Sequence, residues 1–191
     1  MSQIDKDLPA RIPRSEFVAG RLALAFCNTV ALPDAADRLG DPAGLAAWAA
    51  RGQHPLEPVP DAEDLAAMLD LRDILRRIFE TLVKGLSPMQ ADMDRLAALA
   101  LPPRIFWDRE AHRARLLPAG GALVQLRQAI IADAVDLLTG EAQLRIKRCP
   151  ALDCRWFFFD TSRNATRRWC AMGDCGVKAK VQRYRHRHAD F

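Results

Sequence analysis

The segment from Cys149 to Cys175 reads CPALDCRWFFFDTSRNATRRWCAMGDC, and it decides how the C-terminal part of the chain folds. Four residues separate Cys149 from Cys154, four separate Cys170 from Cys175, and fifteen lie between the two pairs. Two short cysteine pairs joined by such a loop are typical of tetrahedral zinc coordination, because each pair forms one knuckle. Four thiolates leave no open position on the metal, so the predicted zinc site is structural rather than catalytic.

Two other uses of these cysteines stay open at the level of the sequence. Four thiolates can also hold an iron–sulfur cluster, although this spacing fits none of the familiar ferredoxin patterns. A redox pair or an unmetallated cluster is the remaining option, although thioredoxin-like sites usually place two residues between their cysteines. Zinc is the interpretation that the spacing favours.

Length and composition indicate the class and the compartment. The chain has 191 residues, of which 50% are apolar and 27% charged, so it can form one domain plus at most a small module. The N-terminal stretch MSQIDKDLPARIPR has no apolar signal core, and no later run approaches the roughly 18 apolar residues of a membrane span. We therefore expect a cytoplasmic protein with no membrane partner, in a reducing environment that favours metal binding over disulfides.

The fold class that the patterns predict is α+β, with a mainly helical N-terminal domain over residues 1–144. Apolar periodicity and helix-ending residues predict helices over residues 15–31, 41–52, 62–84, 89–100 and 121–139. For the first of these, a strand between Leu22 and Val30 is the alternative. A small β-hairpin is expected from RIFWD and RARLLPA, which the charged stretch REAH separates. Cys27 lies in an apolar run and is expected to be a buried structural residue.

No catalytic residue can be named in this domain. His54 and His112 fall in predicted loops, and neither has a cysteine or serine partner at a recognisable spacing. The sequence therefore predicts a protein that is not an enzyme.

Residues 145–191 predict a treble-clef-like zinc module built from a hairpin and a helix. LRIKRC and RWFFFD flank the first cysteine pair and should form the hairpin, with Trp156–Phe159 as the return strand. Alternation along a strand puts Phe157 and Phe159 on one face and Phe158 on the other, and we expect Phe158 to face the helical domain. After Cys175, helix-forming residues predict a helix that begins near the last metal ligand.

The charge of the chain is concentrated in this module. From Arg145 to His188 there are twelve Lys and Arg against three acids, a net charge of +9, whereas the other residues carry 16 basic and 21 acidic groups, a net charge of −5. A basic end on an acidic body predicts contact with a polyanion. The predicted nucleic-acid contacts are Arg163, Arg167, Arg168, Lys178, Lys180 and Arg183, with Ser162, Asn164 and Thr166 as further donors to phosphate.

Other roles for these basic residues stay open. The arginines can instead neutralise the thiolates and pair with Asp160 and Asp174, and the last residues can form a solvated tail. In the alternative hypothesis for function, the zinc module is a structural scaffold or a protein-interaction surface, and the helical domain binds a small molecule.

The cysteine-containing segment resembles the CGNR-type zinc finger, through Phe159–Asn164, Arg167–Cys170 and Cys175–Lys178. The stretches FVAGRLALAFCNTV and LAAWAARG resemble the ABATE domain, which precedes this finger in bacterial proteins described as stress-induced transcription regulators. The resemblance implies a DNA-binding regulator whose helical domain senses an effector or mediates a homodimer. Val177 and Lys178 replace the Asn and Arg that name the finger, so a bidentate arginine is reduced here to a point charge.

Overall fold

The computed structural model describes residues 16–30, 37–102, 104–117 and 120–188. The predicted helix start at Ser15 and the outer ends of the two predicted domains lie outside these residues. The division of the chain at residue 144 stays a prediction.

Five α-helices form most of the N-terminal part of the described chain, as the apolar periodicity predicts. Their bounds are α1 Leu22–Cys27, α2 Pro42–Arg51, α3 Ala62–Leu82, α4 Gln90–Leu99 and, after the first hairpin, α5 Ala122–Leu138. Asp41 caps α2 through a hydrogen bond from Gly44 N, and Asp61 and Asp64 form a reciprocal capping box at the start of α3.

The segment predicted as one helix over residues 15–31 is divided into two. A short 3-10 helix spans Glu16–Ala19, and Gly20 then adopts a φ of +77°, which a glycine accepts without strain and which ends the first helix. Helix α1 follows, with every side chain from Ala23 to Cys27 buried. A residue remote in the sequence caps the first turn of α1: Asp133 of α5 accepts a hydrogen bond from Ala23 N at 2.8 Å.

Two separate antiparallel hairpins supply the β-structure of the described residues. The first pairs β1, Arg104–Asp108, with β2, Arg113–Leu117. The second pairs β3, Ile146–Arg148, with β4, Phe157–Phe159, and lies at the start of the C-terminal module. Both hairpins were predicted, and the second begins one residue later in its return strand than the pattern suggested.

The two faces of β4 contact the opposite neighbours from those predicted. Phe157 and Phe159 do share a face, but it is this face that packs against the helical core, with Phe157 meeting Phe79 of α3 edge-on at 6.1 Å between ring centroids. Phe158 faces the four cysteines instead. The prediction was wrong because alternation separates two faces of a strand without saying which neighbour each face meets.

Strand β4 is also joined to the helical part by a buried side-chain amide. Asn28, at the C-terminal end of α1, donates from Nδ2 to Phe157 O at 2.9 Å and accepts from Phe157 N at 2.8 Å. The amide thus satisfies both main-chain polar groups of Phe157, which would otherwise be buried without partners. Around this pair, Arg148 of β3 bonds Glu80 of α3 at 2.7 Å.

No helix among the described residues is both long and apolar enough to cross a bilayer.

The Asn28 amide generates a first prediction. In Asn28→Ala, the buried N–H and C=O of Phe157 lose their partners, and each unsatisfied group costs about 1–3 kcal/mol. We therefore expect the free energy of unfolding to fall by about 2–4 kcal/mol, measured by denaturant titration of the zinc-loaded chain.

The matched control is Asn164→Ala, because Asn164 is exposed and its side chain forms no hydrogen bond with the described residues. We expect it to change stability by less than about 0.5 kcal/mol. Equal effects of the two substitutions would contradict the role assigned to Asn28.

Candidate zinc centre and nucleic-acid interface

The four cysteine sulfurs converge at one buried point. The Sγ atoms of Cys149, Cys154, Cys170 and Cys175 all lie within 4.8 Å of one another. Cys154 Sγ lies 3.5 Å from Cys170 Sγ, and Cys170 Sγ lies 3.8 Å from Cys175 Sγ. Zn–S bonds of about 2.3 Å in a tetrahedron place sulfurs about 3.8 Å apart, so the donor set fits Zn²⁺.

Each pair of ligands is held by its own local structure. Cys149 follows β3 and donates from its main-chain N to Trp156 O at 2.8 Å, which extends the β3–β4 ladder by one step. Cys154 closes a tight turn on Ala151 O, and Arg155 leaves that turn with a φ of +54°. On the other side, Cys175 lies in one π-helical turn, Met172–Gly176, that leads directly into helix α6, Val177–Arg187.

A side chain at Gly176 would displace the exposed side chain of Met172. A Cβ at this position would lie 2.3 Å from Met172 Sδ and 3.4 Å from the ring of Trp169. The chain must pass close to Trp169 here, because Trp169 packs against the cysteine cluster between Cys170 and the start of α6. Glycine at the position after the last ligand therefore lets the Met172 side chain lie directly against the main chain.

The crowding of the sulfurs changes their proton affinities. Hydrogen bonds from Cys154 and Cys170 lower the pKa of Cys149, whereas the contacts with Cys149 and Cys154 raise the pKa of Cys170. A divalent cation that replaces the thiol protons stabilises the four sulfurs as thiolates. Cys27 differs, since burial raises the pKa of its thiol to about 12 in the helical core.

A buried ion pair supports the loop between the two cysteine pairs. Asp160 is fully buried and bonds Lys147 Nζ at 2.6 Å, while its other oxygen accepts from Ser162 N and Ser162 Oγ. Burial alone raises the pKa of the Asp160 carboxyl, but the hydrogen bonds from Lys147 and Ser162 lower it well below the ordinary value. Lys147 also donates to Ala165 O and to Arg167 O. One ammonium group thus holds Asp160, Ala165 and Arg167 of the loop together.

Ser162, predicted as a donor to phosphate, is used inside the loop. Its hydroxyl donates to Asp160 and accepts from Thr166 N at 2.9 Å.

Two of the six predicted nucleic-acid contacts are engaged within the finger. The Arg167 guanidinium donates to the carbonyl oxygens of Trp169, Phe159 and Cys170, and lies 4.9 Å above the Phe158 ring. One further bond, at 3.4 Å, reaches Val18 O in the helical part. Arg167 therefore links the second cysteine pair to β4 through hydrogen bonds.

Lys178 is the second engaged residue. Its ammonium lies 2.5 Å from Asp153 Oδ2 and 3.7 Å from Asp174 Oδ1. Because Asp153 precedes Cys154 and Asp174 precedes Cys175, Lys178 connects the two knuckles across the metal site. The substitution of lysine at the position of the family arginine thus retains a charge that the two aspartates neutralise.

The other four predicted contacts are exposed to solvent. Arg163, Arg168, Lys180 and Arg183 form no ion pair with a carboxylate of the described residues. Arg168 and Arg183 line one small groove together with Trp169, Ala179 and Gln182. Helix α6 contacts the π-helical turn and makes at most marginal contact with other described elements, and beyond Lys178 its residues Lys180, Arg183 and Arg185 are exposed.

Three residues of the site were missed by reasoning from sequence. They are Asn28, Lys147 and Asp160. Asn28 lies 129 positions from the residue that it bonds, and in the sequence Lys147 and Asp160 look like ordinary surface charges. The isolated polar pair Asn28–Thr29 at the end of an apolar run was the available signal for the first. Asp160 was considered only as a neutraliser of arginines, whereas its main partner is Lys147.

A helical domain joined to a four-cysteine module of hairpin, knuckles and basic helix defines a zinc-finger protein. Residues 20–141 match the ABATE family, whose description is "Putative stress-induced transcription regulator", and residues 145–188 match the CGNR zinc finger. The chain belongs to the ABATE family and carries a CGNR zinc finger, and the four cysteines are a structural zinc site. No curated protein matches the chain.

The zinc site generates a second prediction. In Cys154→Ser, a sulfur ligand is lost, and we expect the zinc content by elemental analysis to fall from about one ion per chain to well below half. The finger should lose its ordered structure with the metal, since so short a module cannot form an adequate core alone. Cys27→Ala is the matched control, and it should keep its zinc although it leaves a small cavity.

The Asp160–Lys147 pair generates a third prediction. Asp160→Asn leaves a largely buried ammonium without its counter-ion, and we expect stability at pH 7 to fall by about 2 kcal/mol or more with zinc retained. Because the folded-state pKa of Asp160 is lowered, this difference is present above the ordinary aspartate pKa of about 3.9 and is lost as pH falls below it. Denaturant titration at several pH values measures it.

Asp153→Asn is the control for that substitution. It removes the partner of Lys178 in an exposed pair, where the Asp153 side chain is 61% accessible, so we expect a loss below about 1 kcal/mol. A loss as large as that of Asp160→Asn would contradict the distinction between the buried and the exposed pair.

Proposed function

We propose that this protein is a transcription regulator that binds duplex DNA through its zinc finger, with α6 and the loop over residues 163–168 as the contact surface. The observation that carries the proposal is the projection of α6 from the zinc site. Lys180, Arg183 and Arg185 are exposed along it, and none pairs with a carboxylate among the described residues. Uncompensated cations on a protruding helix are what phosphate contacts need.

The shape and composition of α6 support a duplex as the partner. The major groove of B-DNA is about 12 Å wide and admits one α-helix. Val177 and Val181 are exposed on α6 between its cations, with accessible fractions of 50% and 43%. Small apolar side chains at a helix surface can contact the methyl group of thymine, while the neighbouring cations contact phosphates.

The proposed contact residues are now four rather than six. Arg163, Arg168, Lys180 and Arg183 have accessible charged groups, whereas Arg167 and Lys178 hold the finger together. Substitution of Arg167 should therefore act on the stability of the finger before it acts on binding. Substitution of Arg168 should weaken binding and leave the zinc in place.

The proposal includes a non-catalytic role in the cytoplasm. Four sulfur ligands fill a tetrahedral shell and leave no position for a reactive water. The helical domain is the proposed receiver of an effector, whose class stays open.

The charges on α6 generate a fourth prediction. The zinc-loaded chain should bind a labelled random duplex with an affinity that falls steeply with salt, and the slope of log K against log salt should lessen by about 0.9 for each phosphate contact removed. For the double variant Lys180→Ala/Arg183→Ala we expect a slope smaller in magnitude by about 1.8 and unchanged zinc content. Fluorescence anisotropy at several salt concentrations measures both affinity and slope.

The matched control is Lys84→Ala/Arg109→Ala, which removes the same charge from exposed positions outside the zinc finger and outside the strands of the first hairpin. It should keep most of the wild-type slope. Equal losses for both double variants would mean that net charge alone drives binding. Absence of binding by the folded, zinc-loaded chain at low salt would reject the proposal in favour of the scaffold hypothesis.

A further inference from the structure

One face of the first hairpin carries apolar residues by sequence, and the two large ones of β1 on this face, Ile105 and Trp107, are exposed. Residues opposite each other in an antiparallel pair share a face, and the register pairs Ile105 with Leu116 and Trp107 with Ala114. The accessible fractions of Ile105 and Trp107 are 69% and 61%. The other face carries Asp108, Arg113 and Arg115, with Phe106 between them at 38%.

The hairpin also has little support from the rest of the described chain. Strands β1 and β2 pair only with each other among the described strands, and neither makes more than marginal contact with a described helix. A two-stranded sheet of five-residue strands is marginally stable alone, whereas three or more strands with an apolar face are stable. An unpaired edge is, moreover, a template for another strand.

The edge of β1 is complementary to a second copy of itself. Strand β1 reads RIFWD, and antiparallel pairing of two copies about Phe106 sets Phe106 opposite Phe106 and Ile105 opposite Trp107 twice. The two ends of the strand have opposite charge in the sequence, so each arginine position meets an aspartate position of the other copy. Each of these cross-strand pairs is of a favourable type.

The edge of β2 lacks this property. Strand β2 reads RARLL, and self-pairing about its centre sets Arg115 opposite Arg115. Like charges directly opposite each other are destabilising. The choice between the two edges is thus made by charge and by apolar content.

We propose that the hairpin is a homodimer interface in which β1 strands of two copies pair antiparallel about Phe106. The two hairpins then form one four-stranded sheet of order β2–β1–β1–β2, with a two-fold axis between the Phe106 residues. The combined sheet has four strands, whereas an independently stable sheet needs at least three. It also brings the Trp107 ring beside Ile105 of the other copy. The dimer does not depend on DNA binding.

The interface is small, so the dimer is expected to be weak. Pairing of two five-residue strands buries well under the roughly 1,600 Å² of a standard interface, so we expect a dimer that dissociates at micromolar concentrations. Where DNA is bound, a dimer presents two fingers to one molecule, and the second contact then benefits from the high effective concentration.

The test is sedimentation equilibrium of the zinc-loaded full chain from about 1 to about 300 µM, which spans the expected dissociation constant. Phe106→Glu and Phe106→Lys each place like charges at the two-fold axis, and we expect each to weaken the dimer at least tenfold. An equimolar mixture pairs opposite charges there and should dimerise again. Leu86→Glu is the control, because Leu86 is a 61% accessible apolar residue outside the hairpin.

A cross-linking variant checks the register even if the charged variants disturb the hairpin. Phe106→Cys places two sulfurs on residues about 4.5–5.5 Å apart between Cα atoms, within the range that a disulfide spans. Arg115→Cys lies on the same face but about 14 Å from its copy, three strand spacings away. Mild oxidation should cross-link the first variant and spare the second.

Either of two results overturns the proposal. One is a wild-type chain that stays monomeric over the whole concentration range. The other is a dimer that keeps its wild-type affinity in both charged variants and shows no preference for cross-linking at Phe106.

Discussion

The contact between Asn28 and Phe157 is the constraint on which the placement of the finger depends. A single buried amide satisfies both main-chain groups of the first residue of β4, and the Phe157 ring packs at the same time into the helical core beside Phe79. Phe157 is therefore held both by hydrogen bonds to its main chain and by packing of its ring. The finger shares its core with the helical domain, because Ile146 and Phe157 belong to the same apolar cluster as the helices.

Zinc and the helical core stabilise opposite faces of the same short strand. Phe158 faces the cysteines, whereas Phe157 and Phe159 face the helices. A three-residue strand cannot hold its own conformation, and it is ordered here because both of its faces are occupied. Loss of the metal would therefore remove the support on one face of a strand whose other face packs on the helical core.

Much of this arrangement could be predicted from the sequence, and the exceptions have a common cause. Helix α3, the hairpin of β1 and β2, and the four ligands follow from local spacing, and all are found. The orientation of β4 and the role of Asn28 depend on contacts between residues 129 positions apart, which local patterns do not encode. The break at Gly20 was missed because the apolar run continues through it, and only the backbone conformation separates the two helices.

The same reasoning separates the charges of the finger into two groups. Lys147, Arg167 and Lys178 lie close in space to the ligands and donate to carbonyls or carboxylates, so their charge is neutralised or fully hydrogen-bonded. Lys180 and Arg183 follow Lys178 along α6 and form no ion pair with those carboxylates or with others of the described chain. Lys178 occupies the position of the family arginine and is the last residue of the first group along α6, because Asp153 and Asp174 pair with its ammonium. Uncompensated charge on α6 therefore begins beyond Lys178, so the DNA-contact surface that we propose on this helix is displaced from the zinc site toward its C-terminal end.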